Sequence, residues 1–183
     1  MLGLAQGIVS GNYDVSSPEL LAQGEFLIAH EFAAPRQAEG EGRINEALAQ
    51  YIIDHYPGQK IYAAATIASA LHGIAPNLKL AGEFPRISSD TLATKGGTWS
   101  ELQLARSMAG PEKHKSILVG QACHVGRIAL QAVHPEIGLT PLLPPHLPNI
   151  FDEDSMQWWC RKRAWWPIRE IPTYLELKRR GQL

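Results

Sequence analysis

Cysteine is scarce in this sequence, long apolar runs are absent, and charge is thin. Two cysteines, Cys123 and Cys160, without metal-type spacing are too few for a disulfide framework and point to reduced thiols. No window approaches the ~20 apolar residues that span a bilayer. The first Lys or Arg is Arg36, so the positive start of a secretory leader is missing. Together these features predict a cytoplasmic protein with no transmembrane segment. Charged residues make up 19% of the chain against 45% hydrophobic, a balance that argues against disorder. Several chemical signatures are missing as well. There is no H-E-x-x-H, no G-x-x-x-x-G-K-[ST], and no G-x-G-x-x-G after the first expected strand. A metal site, a P-loop and a dinucleotide fingerprint are therefore not expected.

What is present fits one domain. A chain of 183 residues buries roughly 70% of its unfolded surface without staples. Its charge is uneven: residues 1–90 hold 5 Lys/Arg against 10 Asp/Glu, and residues 91–183 hold 12 against 8. Much of the positive charge follows Cys160. That balance is too mild for a nucleic-acid binder, which more usually carries a strongly basic domain.

Residues 1–24 mix Gly, Ser, Asn and Pro and read as an N-terminal extension, and residues 25–183 as a single domain. Residues 26–32 are long enough for a strand and too short for a helix. Ile44, Leu48, Tyr51, Ile52 and His55 form a stripe of helical period that Pro57-Gly58 ends. Residues 61–66 and 78–82 read as further strands, and residues 83–97 as a loop. Thr98-Trp99-Ser100-Glu101 matches a capping box, opening a helix with Trp99, Leu102, Ala105 and Met108 on its apolar side. Residues 116–122 form the clearest strand, apolar at successive positions as suits a strand covered on both faces. Val125, Ile128, Ala129 and Ala132 set the next helix. Residues 139–143, interrupted by Pro141, suit an edge strand. A Pro/Asp-rich loop over 144–155 leads to a Trp-rich helical segment, residues 156–182, broken by Pro167 and Pro172. Strand–helix alternation with short connectors predicts an α/β, Rossmann-like three-layer domain, a mainly parallel sheet with helices on both faces. Such sheets bind ligands beyond the carboxyl ends of their strands.

That rule directs attention to Gly120-Gln121-Ala122-Cys123-His124-Val125-Gly126-Arg127. Gly120 lets a ligand approach the backbone, and with Gln121 it leads into a helix N-terminus whose unpaired amides attract anions. His124 and Arg127, three residues apart, share a helix face. Arg127 can grip a phosphate or carboxylate with two parallel bonds, and His124 titrates near neutrality. The plainer alternative is a His124 that caps the turn and an Arg127 paired with a surface carboxylate. Cys123 is either structural or, at a helix start that lowers a thiol pKa, a nucleophile beside His124. Thr98 and Glu101 either cap their helix or touch a ligand, with Lys95-Gly96-Gly97 as an anion nest at the same start. His30-Glu31 ends the first strand and Arg43 opens the following helix, either on the ligand side or as a solvated pair. The segment containing Trp158, Trp159, Trp165 and Trp166 suits a homodimer interface, and less well a membrane surface. Arg169-Glu170 after it can return a carboxylate to the site.

In order and spacing these residues resemble the YdcF-like family, which includes the SanA and ElyC envelope proteins. The family pattern has an Arg in the first helix and an S-x-N-T-x-E-N stretch opening a middle helix. A strand then runs into T-S-x-x-H-x-x-R-A, and a late Arg/His-Glu pair follows. Arg43 stands in the first position, Thr98 matches the Thr of the second, His124 and Arg127 match the third, and Arg169-Glu170 fits the last. Ser100 replaces the family's Glu, Glu101 its Asn, and Gly120-Gln121 its Thr-Ser. The resemblance implies a Rossmann-like domain with a charged, polar pocket, and S-adenosylmethionine as a ligand that one member binds. It implies no particular reaction.

Three functional readings follow. The first is a hydrolase or transferase acting on a small anionic or nucleotide-like molecule. His124, Glu170 and Glu101 would be catalytic, Arg127, Arg43, Thr98, Gly120 and Gln121 would bind the ligand, and no metal would take part. The second is a non-catalytic module binding S-adenosylmethionine or a nucleotide. The third is an interaction protein working through its Trp-rich tail.

Overall fold

All four residues of strand β1 (Phe26–Ala29) and of β2 (Ile61–Ala64) are buried, the pattern of strands covered on both faces. The computed structural model describes residues 13–32, 42–85, 97–153, 155 and 160–183. Three further strands are β3 (Gly82–Phe84), β4 (Lys115–Val119) and β5 (Thr140–Leu142). All neighbours pair in parallel, in the order β3-β2-β1-β4-β5. β1 is the middle strand, with Leu27 opposite Ile61 on one side and Ile117 on the other.

The helices follow from apolar stripes between the strands. After the single turn α1 (Pro18–Leu21) come α2 (Arg43–His55), α3 (Ala65–Ile74), α4 (Gly97–Ala109) and α5 (Ala122–Ala132). A 3-10 turn over Arg163–Trp165 leads into α6 (Trp166–Arg179). Ile44, Leu48 and Ile52 on α2 are wholly buried, each contributing about 1.5–3 kcal/mol. α2 packs on α3 and α4 on α5, giving the three-layer Rossmann-like α/β fold expected from the alternation. Pro141 does lie on an edge strand.

Several boundaries differ from the sequence reading. The strand expected over 78–82 begins later. Leu78 N donates to Ala75 O in a turn, and the ladder starts only where Ala81 N meets Ile61 O. The strand expected over 61–66 stops at Ala64, and α3 follows with no connector. α3 was not foreseen, because an Ala-rich run fits both states and no turn residue separates them. The clearest expected strand also ends early, at Val119, since Ala122 is already helical.

Residues 13–24, expected as an extension, are tied to the domain. Ser16 N donates to Leu143 O and Leu143 N to Ser16 Oγ, both at 2.9 Å, while Tyr13 OH reaches Pro144 O. Gly24 passes so close beneath β4 that a Cβ there would lie 2.6 Å from Ile117 Cγ1 and 2.7 Å from its Cδ1. Ile117 is buried and cannot swing aside. Gly24→Ala is therefore expected to cost about 1–3 kcal/mol, as overpacking does, read as a lower urea midpoint at unchanged m-value.

Candidate functional site

His124, Arg127 and Gln131 stand on one face of α5, at intervals of three and four. Trp166, Glu170, Thr173 and Leu177 do the same on α6. These two faces border a cavity of about 230 Å³. Glu31 and Phe32, just past β1, and Thr98, Trp99 and Glu101 in the first turns of α4 also line it. The chain winds from β1 toward β2 and β3, then returns to β4 on the other side. The cavity thus sits by the carboxyl ends of the two strands where the winding reverses, the position at which open α/β sheets take ligands.

A chain of buried polar contacts forms one wall. Arg127 Nε donates to Glu170 Oε1 at 2.5 Å, and its Nη2 donates to His124 Nε2 at 2.6 Å. Arg127 is 9% exposed and Glu170 1%. A guanidinium has only donors, so His124 Nε2 carries the lone pair and the ring proton sits on Nδ1. Burial first, then the charges of Arg127, His30 and Arg169, hold the His124 imidazole well below its ordinary pKa. It is neutral at pH 7. Thr98 Oγ1 lies 3.5 Å from His124 Nε2, at the outer limit of contact. Trp166 closes the wall, its ring 4.9 Å from Phe32 and 5.7 Å from His124, centroid to centroid.

Three buried polar atoms in the lining have no hydrogen-bond partner among the described residues: His124 Nδ1, Gln131 Oε1 and Trp166 Nε1. Arg169 also lines the cavity. Burial, and next the charge of Arg127, lower the Arg169 pKa.

The structure brings Thr98, Glu101, His124, Arg127 and Glu170 to this one cavity. Arg43, Gly120 and Gln121 are not among its lining residues. At the N-terminus of α5, where an anion site was expected, the first amide and the Gln121 side chain are engaged by a loop. Ala122 N donates to Pro148 O at 3.0 Å, His124 N to Gln121 O at 2.8 Å, and Gln121 Nε2 to Ile150 O at 2.6 Å. Gly120 serves packing instead, since a Cβ there would fall 3.1 Å from Ile128 Cδ1. Thr98 and Glu101 do not form a capping box: α4 already starts at Gly97. Glu101 Oε2 meets His30 Nδ1 at 2.6 Å rather than His124. Cys123 is no activated nucleophile, because burial and then the Glu170 charge push its thiol pKa up. Lys95, Gly96, Trp158 and Trp159 lie outside the described residues. Phe32, Gln131 and Trp166 as lining residues were missed. A signal existed for Gln131, a polar residue on the same buried stripe as His124 and Arg127.

No family model matches the chain, and no curated protein or solved structure matches it either. Among the described residues no group of His, Cys, Asp and Glu is placed to hold a metal ion.

Removing one member of a buried ion pair strands the other. Arg127→Leu is expected to cost about 3–5 kcal/mol in urea unfolding, and adding Glu170→Leu to recover most of that loss. The histidine adds a pH dependence. Its folded-state pKa lies below the unfolded value near 6.5, so the unfolded chain takes up the proton first as pH falls. Stability is full above about pH 6.5 and declines below it, by up to about 1.4 kcal/mol per pH unit from this group. His124→Gln, measured by urea unfolding at pH 7 and pH 5, is expected to show a smaller loss than the parent chain.

Proposed function

We propose that the protein binds a small anionic or nucleotide-like molecule in the cavity between α5 and α6. The observation that carries this reading is the trio of buried polar atoms on His124, Gln131 and Trp166 that meet no partner among the described residues. Each such group costs about 1–3 kcal/mol unless something bonds to it, and all three belong to residues of one lining. The ligand is therefore a molecule with both donors and acceptors. Arg127 and Arg169 both line the cavity, and a carboxylate or phosphate there can accept from guanidinium groups through paired bonds. At about 230 Å³ the cavity is smaller than the roughly 300–1,000 Å³ that engulfs a drug-sized ligand. A sugar phosphate suits it, and a nucleotide or S-adenosylmethionine would leave part of itself outside.

The kinship with YdcF-like proteins belongs to this proposal. Its support is that Thr98, His124, Arg127 and Arg169-Glu170 meet at one lining, although Arg43, the remaining residue of the resemblance, is not part of it. A cytoplasmic setting is part of the same reading. Catalysis is the second reading, and the neutral His124 is the observation in its favour, since a general base must be unprotonated. An anion that drew Arg127 off Nε2 would free that nitrogen, and Arg127 would then stabilise charge developing on the ligand. Hydrolysis or group transfer at a phosphate or carboxylate is the class that fits.

A thermal-shift screen with sugar phosphates, nucleotides and S-adenosylmethionine tests the reading. A true ligand at a hundred times its Kd adds about 2.7 kcal/mol of stability. Trp166→Phe and Arg169→Gln are each expected to weaken it by roughly tenfold, the worth of about one hydrogen bond to a charged group. Shifts that survive both substitutions would place the ligand elsewhere. Turnover lost in His124→Ala with binding kept would select the enzyme.

A further inference from the structure

The two sides of α6 face different surroundings. Trp166, Glu170 and Leu177 are buried against the domain. On the other side Ile168, Ile171 and Leu175 stand 61%, 51% and 61% exposed. Spaced by three and four, they form one stripe, and at 100° per residue it points away from the cavity. Aligned over two turns, these aliphatic side chains differ from the scattered apolar residues that any surface carries.

The stripe is flanked by positive charge at both ends. Arg161-Lys162-Arg163 precedes the helix and Lys178-Arg179-Arg180 closes it. Residues 160–183 hold 7 Lys/Arg against 2 Asp/Glu, and residues 1–159 hold 10 against 16. Of those two carboxylates, Glu170 is buried facing the cavity, and Glu176 is shared by Arg179 and Arg180 at 2.7 Å. The exposed side of α6 is therefore apolar and cationic on a chain that is otherwise acidic.

We propose that this face docks on an anionic lipid surface, with α6 lying flat. The Ile168/Ile171/Leu175 stripe enters the boundary between headgroups and acyl chains, and the basic flanks meet the lipid phosphates. Charge favours this partner over a second copy of the chain. Pairing two such stripes about a two-fold axis sets basic flank against basic flank, whichever way the helices run. The domain stays on the aqueous side, and among the described residues no helix is long and apolar enough to cross a membrane.

Sedimentation of the 183-residue chain with vesicles tests this, using phosphatidylcholine alone or mixed with phosphatidylglycerol. The protein is expected to pellet with the anionic vesicles at low salt, to be released as salt rises, and to stay in solution with the neutral ones. Ile168→Ser/Ile171→Ser/Leu175→Ser is expected to lower the bound-to-free ratio by about tenfold or more. Its Tm should not fall, because all three side chains are exposed. Lys178→Glu/Arg180→Glu should lower the ratio at least as much. Indifference to anionic vesicles would overturn the proposal, as would equal binding by the triple serine variant. A dimer in light scattering that the same variant dissolves, without vesicle binding, would assign the face to a second copy instead.

Discussion

Arg127 of α5 and Glu170 of α6 meet at 2.5 Å, both almost wholly out of water. Withdrawing each ion from solvent costs several kcal/mol, which only close contact and further hydrogen bonds offset. The pair therefore acts as a constraint on position more than as a source of stability. It fixes the spacing of the two helices, and with it the width of the cavity. It also turns Arg127 so that a second nitrogen reaches His124, which settles the tautomer and opposes protonation of that ring. Trp166, one turn before Glu170, is held against Phe32 and His124 by the same geometry. Much of the chemistry of the cavity traces back to this one contact.

The layered architecture was legible because it is written in period. The α2 stripe of Ile44, Leu48 and Ile52, and the apolar run at β4, each admit one assignment. Pro141 marked an edge because a residue without an amide cannot sit between two partners. What could not be read was the change of state without punctuation at Ala64–Ala65, where alanine suits strand and helix alike. The order of the strands was also hidden. It is set by which helix covers which face, and no local pattern reports that.

The site was read in part, and for a physical reason. A spacing of three along α5 says that His124 and Arg127 share a face. It does not say which distant residue answers them. Glu101 fits a capping box in sequence, yet in the fold α4 already starts at Gly97 and the Glu101 carboxylate turns to His30, just past β1. Gly120-Gln121 has the form of an anion-binding turn, but the loop through Pro148 and Ile150 takes up the first amide of α5 and the Gln121 side-chain donor. In each case the partner lies far away in sequence.

The sheet's two margins carry a consequence of their own. β3 and β5 are each three residues long, and in β5 Thr140 N donates to His114 O. Alternation along a strand turns the next nitrogen outward, and that residue is Pro141, which has no hydrogen to give. The next outward-facing residue, Leu143, is already held by Ser16, so the margin beside β5 offers a growing stack of strands little backbone to build on. A chain with so short a rim is guarded against fibril seeding by its own backbone.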